Sequence, residues 1–292
     1  MKILKHPKIE NSLMCPICSS QMKISEGDNV SLYCTGSKRH SYDFSSSGYV
    51  NLATSSQSNG GDSKQAVKAR SAFLDKEYYR PVADKLCYLL KEYCAAGGLV
   101  VDAGCGEGYY SKSIKDCGFC VAGFDLSKFA VDAAARRVKN DNPDKSFFGV
   151  SSVFSLPIFD LKVDAVVNIF APCVESEYSR VLSENGVLIV VQAGERHLLG
   201  LKQAIYDVAH LNNERADIPL DMEKIYSEEL EYSITVSDNQ TLQELFAMTP
   251  YYWKTSREDF EKLNAIENLT TEIDMIFSVY KKHYDDFDWR ID

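Results

Sequence analysis

The sequence has no apolar segment as long as a membrane span, although 45% of its 292 residues are hydrophobic. Its first residues carry positive charge but lack the apolar core of a secretory signal, so we expect a cytoplasmic protein without a membrane partner. A basic excess is also missing. The net charge of −10 argues against a protein that coats nucleic acid, and DNA is not an expected partner.

The charge is unevenly distributed along the chain. Residues 1–80 hold eleven basic and seven acidic side chains, whereas the remainder is strongly acidic. A basic N-terminal part on an acidic body suggests that a polyanion would meet the N-terminal part first. Chance clustering of solvated charges explains the same numbers, so the asymmetry alone decides nothing.

Nine cysteines in a chain without a secretory signal favour thiols or metal ligands over disulfides. Four side chains near the N-terminus have the spacing of a Cys3His zinc site: Cys15, Cys18, Cys34 and His40. Four protein ligands leave no open coordination position, so such a site would be structural. The segment 13–50 has too few large apolar residues to form a core, so a bound metal ion would be needed to stabilise its fold. Asp43 is the alternative to His40.

A second cysteine pair, Cys117-x2-Cys120, has the spacing of a redox motif but not its context. Redox motifs open a helix after a strand, whereas this pair closes a predicted helix at Gly118 and begins a strand. We therefore interpret both residues as small core cysteines.

From residue 99 onward, predicted strands alternate with predicted helices. The strands read "LVVDA", "FCVAGFDL", "SFFGVS", "VDAVVNIF" and "GVLIVVQA". This alternation predicts an α/β fold with a mostly parallel, Rossmann-like sheet that helices cover on both faces. Two later segments, "LEYSITVS" and "TEIDMIFSVYKK", are strand-like and could add a closing antiparallel pair.

The most specific pattern in the body is "LVVDAGCGEGYYSKSI", in which a buried strand leads through three glycines into a helix. Gly104 and Gly106 allow the backbone to approach a ligand closely. A dinucleotide motif would place the third glycine at position 109, which is Tyr109, so the turn matches that of S-adenosylmethionine methyltransferases better. Asp125, at the tip of the next strand, could accept both hydroxyls of a ribose. The alternative is a glycine-rich corner without a ligand.

Two further segments follow later strands. "NIFAPC", residues 168–173, ends the fourth strand, and Asn168 and the backbone near Pro172 are candidates for holding a methyl acceptor. An ordinary strand-end loop is an equally good interpretation. His197 follows the fifth strand, but a lone histidine is more often structural than functional.

Together these segments resemble the bacterial RlmA-type methyltransferases, which methylate N1 of a guanine in a hairpin loop of 23S rRNA. The matching strings run in order from residue 15 to residue 254: "CPIC…C…H", "SGYVNL", "GDSKQAVKARSAFLD", "YYRPV", "DAGCGEGYY", "GFDLSKFAV", "FAPC", "RHL" and "MTPYYWK". The resemblance implies a zinc ribbon on a class I methyltransferase domain, and a family that can act as a homodimer.

The resemblance also implies roles for particular residues. It implies zinc at the four residues of the Cys3His pattern. It implies contacts with S-adenosylmethionine from Tyr79, Tyr110, Ser111, Asp125 and His197, in addition to the backbone of Gly104 and Gly106. Asn168 departs from the family, where other members carry a basic residue.

We expect three parts: a zinc-binding ribbon for RNA recognition (1–52), a linker and helix (53–80), and the methyltransferase domain (81–292). Aromatic candidates for stacking on a splayed guanine are Tyr109, Phe170, Tyr251 and Tyr252. Basic candidates for phosphate contacts are Lys38, Arg39, Lys64, Lys68 and Arg70. No residue is identified as a catalytic base. The alternatives are a small-molecule methyltransferase with a structural ribbon and a non-catalytic RNA-binding factor.

Overall fold

A computed structural model of the chain describes residues 6–25, 30–54, 61–139, 143–212, 222–252 and 254–282. The helices are α1 (Pro7–Glu10), α2 (Lys64–Leu74), α3 (Arg80–Tyr93), α4 (Tyr109–Asp116), α5 (Lys128–Val138), α6 (Glu175–Val181), α7 (Leu199–Ile205), α8 (Asn239–Ala247) and α9 (Arg257–Asn264). The strands are β1 (Met22–Ile24), β2 (Ser31–Cys34), β3 (Ser41–Asp43), β4 (Val50–Asn51), β5 (Leu99–Ala103), β6 (Cys120–Asp125), β7 (Ser146–Val150), β8 (Val163–Ile169), β9 (Leu182–Ala193), β10 (Met222–Val236) and β11 (Leu269–Lys282). Within these ranges, no helix has both the length and the apolar character needed to cross a bilayer.

Eight of these strands form one mixed sheet in the order β10-β11-β9-β8-β5-β6-β7-β4. The pairs from β4 through β9 are parallel, and β10 and β11 add an antiparallel pair at the other edge. This confirms the predicted Rossmann-like sheet and its closing pair. Every residue of β5 is buried, as expected for a central strand that helices cover on both faces.

Local sequence explains where two of the helices begin. α5 begins after Ser127, whose hydroxyl oxygen accepts a hydrogen bond from the N–H of Ala130 at 3.2 Å and so caps the helix. α3 carries Pro81 in its first turn, where a backbone N–H has no intrahelical partner in any case. The apolar stripe of α3, including Val82 and Leu86, is buried against the sheet.

The N-terminal ribbon is packed onto the large sheet rather than standing apart from it. Its three antiparallel strands, β1 to β3, share a buried apolar cluster with Leu99 and Val101 of β5. The N–H of Met14 also donates to the carbonyl of Pro157 at 2.9 Å. The short strand β4 then pairs in parallel with β7 and so becomes an edge of the main sheet. The ribbon is therefore held to the sheet by both apolar packing and backbone hydrogen bonds.

The segments α2, α8 and α9 lie at the carboxyl end of the parallel strands, where sheets of this kind bind ligands. Because Met275 of β11 pairs with Ala193 at the end of β9, the first residues of β11 extend past that edge, and α8 and α9 precede them. Lys76, two residues after the end of α2, forms an ion pair with Glu244 of α8 at 2.7 Å. This arrangement covers the end of the sheet with helices.

Gly108 provides a test of the packing between α4 and α5. Its φ is +83°, and an added Cβ would lie 2.7 Å from the Cβ of Ala134 in α5. Gly97 has a φ of +67°, but an added Cβ would have no neighbour within 4 Å. We expect Gly97→Ala to lower the free energy of unfolding by roughly 1–2 kcal/mol, the cost of the left-handed backbone. Gly108→Ala should cost about 1–3 kcal/mol more, because it also overpacks the contact. Urea unfolding measures both, and equal losses would contradict the close packing.

Candidate functional site

The glycine turn after β5 has the conformation that its sequence predicts. Gly104, Gly106 and Gly108 have φ values of +82°, +54° and +83°, in the region that favours glycine. An added Cβ on Gly104 would lie only 2.5 Å from the Cβ of Ala171, in the loop that follows β8. The turn and the β8 loop are therefore in direct contact at the carboxyl edge of the sheet.

Asp125, at the end of β6, is hydrogen-bonded to the glycine turn. One carboxylate oxygen accepts from the N–H of Gly106 at 3.1 Å, and the other accepts from the N–H of Ser127 at 2.7 Å. Burial raises the pKa of Asp125, and the two backbone donors oppose that shift. Because a carboxylate has about four acceptor positions, it keeps capacity for further donors such as ribose hydroxyls.

Arg70 of α2 lies beside the same turn. Its guanidinium forms an ion pair with Asp62 at 2.5 Å, and an added Cβ on Gly106 would lie 3.5 Å from it. The sequence predicts a phosphate contact for Arg70, and the structure pairs this side chain with Asp62 next to the glycine turn. Lys64 and Lys68, also on α2, are exposed.

Asp102, the fourth residue of β5, is buried beneath the turn. The hydroxyl of Ser111 donates to its Oδ2 at 2.5 Å, and burial raises the pKa of Asp102 to about 7. Ser111 is itself fully buried, so its side chain faces Asp102. Sequence reasoning did not include Asp102 among the site residues, although its position near the end of the central strand was the available signal.

The structure brings His197 and Tyr79 together, although they are 118 residues apart. The backbone N–H of Asp274 donates to Nδ1 of His197 at 3.3 Å, so Nδ1 is the unprotonated nitrogen. The proton of the neutral ring is therefore on Nε2, which lies 3.3 Å from the hydroxyl oxygen of Tyr79. With His197 donating, Tyr79 keeps its own hydroxyl proton for another acceptor. Burial lowers the pKa of His197 to about 4, which keeps the ring neutral at pH 7.

A partly buried polar network supports the backbone on either side of His197. The amide nitrogen of Asn212 donates to the carbonyls of Gly194, at 2.8 Å, and His197, at 3.2 Å. Its oxygen accepts from Lys202 at 2.6 Å and from the hydroxyl of Tyr251 at 3.1 Å. Sequence reasoning missed Asn212 and Lys202, and no local pattern could have identified them because their partners lie in distant segments.

Asn168 holds the β8 loop in place. Its amide nitrogen donates to the carbonyl of Pro172 at 3.0 Å and to the hydroxyl of Tyr178 at 2.9 Å. Both amide protons are therefore used inside the loop. Its side chain thereby shapes the loop, and the role of Asn168 in holding an acceptor stays a prediction.

The aromatic candidates differ in exposure. Tyr109 is only 5% exposed and packs in the main core, so the expectation that it stacks on an acceptor base is wrong. Tyr110, with its ring centre 5.2 Å from that of Tyr109, is half-buried. Phe170 is 43% exposed and Tyr252 is 36% exposed. Tyr251 is half-buried in the network around Asn212.

The four predicted metal-binding side chains converge within the ribbon. The potential ligand atoms of Cys15, Cys18, Cys34 and His40 all lie within 4.8 Å of one another. The sulfur atoms of Cys18 and Cys34 are 3.6 Å apart, and Nδ1 of His40 lies 3.5 Å from the sulfur of Cys34. With Zn–S bonds of about 2.3 Å, a tetrahedral site has sulfur atoms roughly 3.8 Å apart, so this donor set fits zinc. The cluster includes His40 and not Asp43, the alternative ligand.

The fold and the glycine turn define a class I S-adenosylmethionine-dependent methyltransferase, and residues 100–186 match a family model described as "Methyltransferase domain". A Bacillus subtilis (strain 168) protein named "Putative 23S rRNA (guanine-N(1)-)-methyltransferase YxjB" is 27% identical over 282 residues, which cover 91% of this chain and 96% of that protein. A Micromonospora griseorubida protein named "Putative 23S rRNA (guanine-N(1)-)-methyltransferase" is 31% identical over 67% of this chain and 70% of that protein.

A third relative, from Streptomyces fradiae, is named "23S rRNA (guanine(748)-N(1))-methyltransferase". It is 31% identical over 66% of this chain and 67% of that protein. The chain belongs to the family of 23S rRNA (guanine-N1)-methyltransferases, which confirms the family that its motifs indicated.

The buried imidazole of His197 predicts a specific pH dependence of stability. Its pKa is about 4 in the folded protein and about 6.5 when exposed, so the unfolded chain takes up a proton first as the pH falls. The contribution of the neutral ring is therefore fully present above pH 6.5 and is lost toward pH 4. Asp102 changes stability in the opposite direction over about the same pH range. Because its pKa is raised to about 7, the folded protein binds a proton there that the unfolded chain has released, so this contribution to stability grows as the pH falls.

A comparison with His197→Gln isolates the contribution of the histidine. We expect the destabilisation caused by His197→Gln to shrink by about 2–3 kcal/mol between pH 7 and pH 4.5, because only the wild type loses the stability of the neutral imidazole. Urea unfolding at several pH values measures this difference. A difference between the two proteins that does not change with pH would contradict the lowered pKa.

Proposed function

We propose that this protein transfers a methyl group from S-adenosylmethionine to N1 of a guanine in a hairpin loop of 23S rRNA. The observation that carries the proposal is the relationship to three proteins named for guanine-N1 methylation of 23S rRNA, which spans 66–91% of this chain. The glycine turn bound to Asp125 supports it, because this turn lies at the carboxyl edge of the sheet.

We assign the cosubstrate cleft to the residues around the glycine turn. Gly104 and Gly106 would let the backbone approach the ligand, and Asp125 would accept the ribose hydroxyls with its remaining acceptor positions. The cosubstrate would supply a methyl group on a sulfonium, which an acceptor nitrogen displaces in line. The protein would mainly align donor and acceptor and exclude water.

Tyr79, Tyr110, Ser111 and His197 complete the proposed cleft. Because His197 donates to the oxygen of Tyr79, the hydroxyl proton of Tyr79 is free to bind an anionic group such as a carboxylate. Neither nitrogen of His197 is placed to accept a proton from guanine N1, since Nε2 carries a proton and Nδ1 accepts from Asp274. We therefore assign His197 to binding and name no catalytic base.

We further propose that the ribbon holds one structural zinc ion and provides the surface that first meets RNA. Cys15, Cys18, Cys34 and His40 would be the ligands, and four protein ligands leave no position for catalysis. Lys38 and Arg39, in the loop between two ligands, are exposed and could contact phosphates. A homodimer, a cytoplasmic location and the division of the chain at residues 52 and 80 stay predictions.

Methylation of rRNA is the direct test of the proposed function. The purified protein is incubated with S-adenosylmethionine and with 23S rRNA from cells that lack the gene, and the modified nucleotide is mapped by reverse transcription and mass spectrometry. We expect one loop guanine to gain a methyl group at N1. Methylation only of small molecules, or no transfer to rRNA, would contradict the proposal.

Asp125→Ala tests whether cosubstrate binding depends on the Asp125 carboxylate, and zinc content reports whether the ribbon still folds. We expect calorimetry to show no binding of S-adenosylmethionine, because the variant loses the carboxylate that would accept the ribose hydroxyls. Bound zinc should stay near one ion per chain, since the ribbon lies elsewhere. Asp207→Ala is the matched control, because the side chain of Asp207 is 92% exposed at the surface. Loss of zinc together with cosubstrate binding would indicate misfolding instead.

Cys34→Ser tests the proposed zinc site. We expect the zinc content to fall from about one ion per chain to near zero and the thermal midpoint to drop, because the ribbon has little core of its own. Cys173→Ser, a half-buried cysteine outside the cluster, should keep its zinc. Metal analysis by mass spectrometry measures both variants, and full zinc content in Cys34→Ser would contradict the assignment.

A further inference from the structure

Phe170 has an unfavourable backbone conformation at a site where the chain could have used glycine. It directly follows β8, and its φ is +55°, in the left-handed region that residues with a Cβ reach only at a cost. Strained conformations of this kind persist where the surrounding structure holds them, and they cluster at functional sites. The conformation of Phe170 therefore calls for an explanation in terms of what its side chain does.

The surrounding loop holds Phe170 from both sides. The N–H of Phe170 donates to the carbonyl of Val191 in β9 at 3.3 Å. Two residues on, the carbonyl of Pro172 is bound by Asn168 and Tyr178, and between them Ala171 packs against Gly104. The direction of the Phe170 side chain is therefore set by the loop and not by its own conformational preference.

The ring of Phe170 lies beside His197, one of the residues assigned to the proposed cosubstrate cleft. Its centre is 5.9 Å from that of the His197 ring, and the two planes differ by 28°, so the rings are stacked. His197 in turn contacts Tyr79. One face of the Phe170 ring is turned toward His197, and the residue as a whole is 43% exposed. A planar, solvent-accessible aromatic surface thus stands where β8 ends, the expected place of the acceptor.

We propose that Phe170 is an acceptor-binding residue, whose free ring face stacks on the splayed-out base that receives the methyl group. The inference rests on the proposed function and adds the surface that holds the base. Of the other aromatic candidates from the sequence, Tyr109 is buried and Tyr251 is engaged with Asn212. Tyr252 is 36% exposed, but its ring packs against Phe246 and Phe260 and not beside His197. Stacking suits this role because every base has a flat π face, whereas selection of guanine would need polar contacts at its edge.

The left-handed backbone makes glycine an informative substitution. Phe170→Gly removes the ring and places at position 170 the residue that this conformation favours, so the variant should fold. Leu161→Gly is a matched control, because Leu161 is also apolar, 51% exposed and at a φ of +57°. Leu161 lies just before β8, at the opposite edge of the sheet from the glycine turn. The two exchanges therefore make the same conformational change, but only one of them removes the ring at the site.

The experiment measures methyl transfer to a 23S rRNA hairpin fragment, together with calorimetric binding of S-adenosylmethionine. We expect Phe170→Gly to lower kcat/KM for the RNA roughly 5- to 150-fold, since stacking of one base on an aromatic side chain contributes about 1–3 kcal/mol. Its cosubstrate affinity should equal that of the wild type. Phe170→Trp should restore most of the transfer, and Leu161→Gly should match the wild type in both measurements.

Three results would overturn the inference in distinguishable ways. Wild-type transfer rates in Phe170→Gly would show that the ring does not bind the acceptor, and the proposed function would stand. If Phe170→Gly binds S-adenosylmethionine more weakly, and this alone accounts for its lower transfer rate, the ring only supports His197 and does not bind the acceptor. A wild-type protein that methylates no 23S rRNA would overturn both this inference and the proposed function.

Discussion

The hydrogen bond from the N–H of Gly106 to the carboxylate of Asp125 joins the ends of the two strands on which the proposed site is built. The glycine turn needs left-handed backbone at three positions, and such a turn keeps its shape only where something fixes it. The other oxygen of Asp125 binds the N–H of Ser127, which caps α5. One carboxylate thus sets the turn, the tip of β6 and the start of the following helix. The β8 loop is positioned in turn by contact with Gly104.

Burial controls the charge of the groups around this turn. It lowers the pKa of His197 to about 4 and raises that of Asp102 to about 7, so both groups avoid a full charge in the core. The tautomer of His197 follows from a single backbone donor, Asp274, which occupies Nδ1.

Much of the fold could be predicted, and part of the site could not. The alternation of strands and helices and the antiparallel pair at the end were both confirmed. The prediction that Tyr109 stacks on a base is wrong, because a glycine turn shows that a helix follows but does not show which face of that helix packs inward. The ring of Tyr109 faces the core, whereas Phe170 faces solvent because of the turn that β8 makes at its end. The bonds of Asn168 to Pro172 and Tyr178 could not be predicted, because they depend on how the loop folds back.

The sequence by itself determined the local features of this protein: glycines where the backbone turns left-handed, a serine at the start of a helix, and four metal-binding side chains at zinc spacing. These features depend on neighbours along the chain, so they can be read from short patterns. Only the tertiary structure decided that His197 meets Tyr79, that Asp274 sets its tautomer and that Asn212 supports it. These contacts join segments from different strands and loops. Their formation depends on how the sheet is ordered and how its edge is covered, and no pattern within a single segment records that.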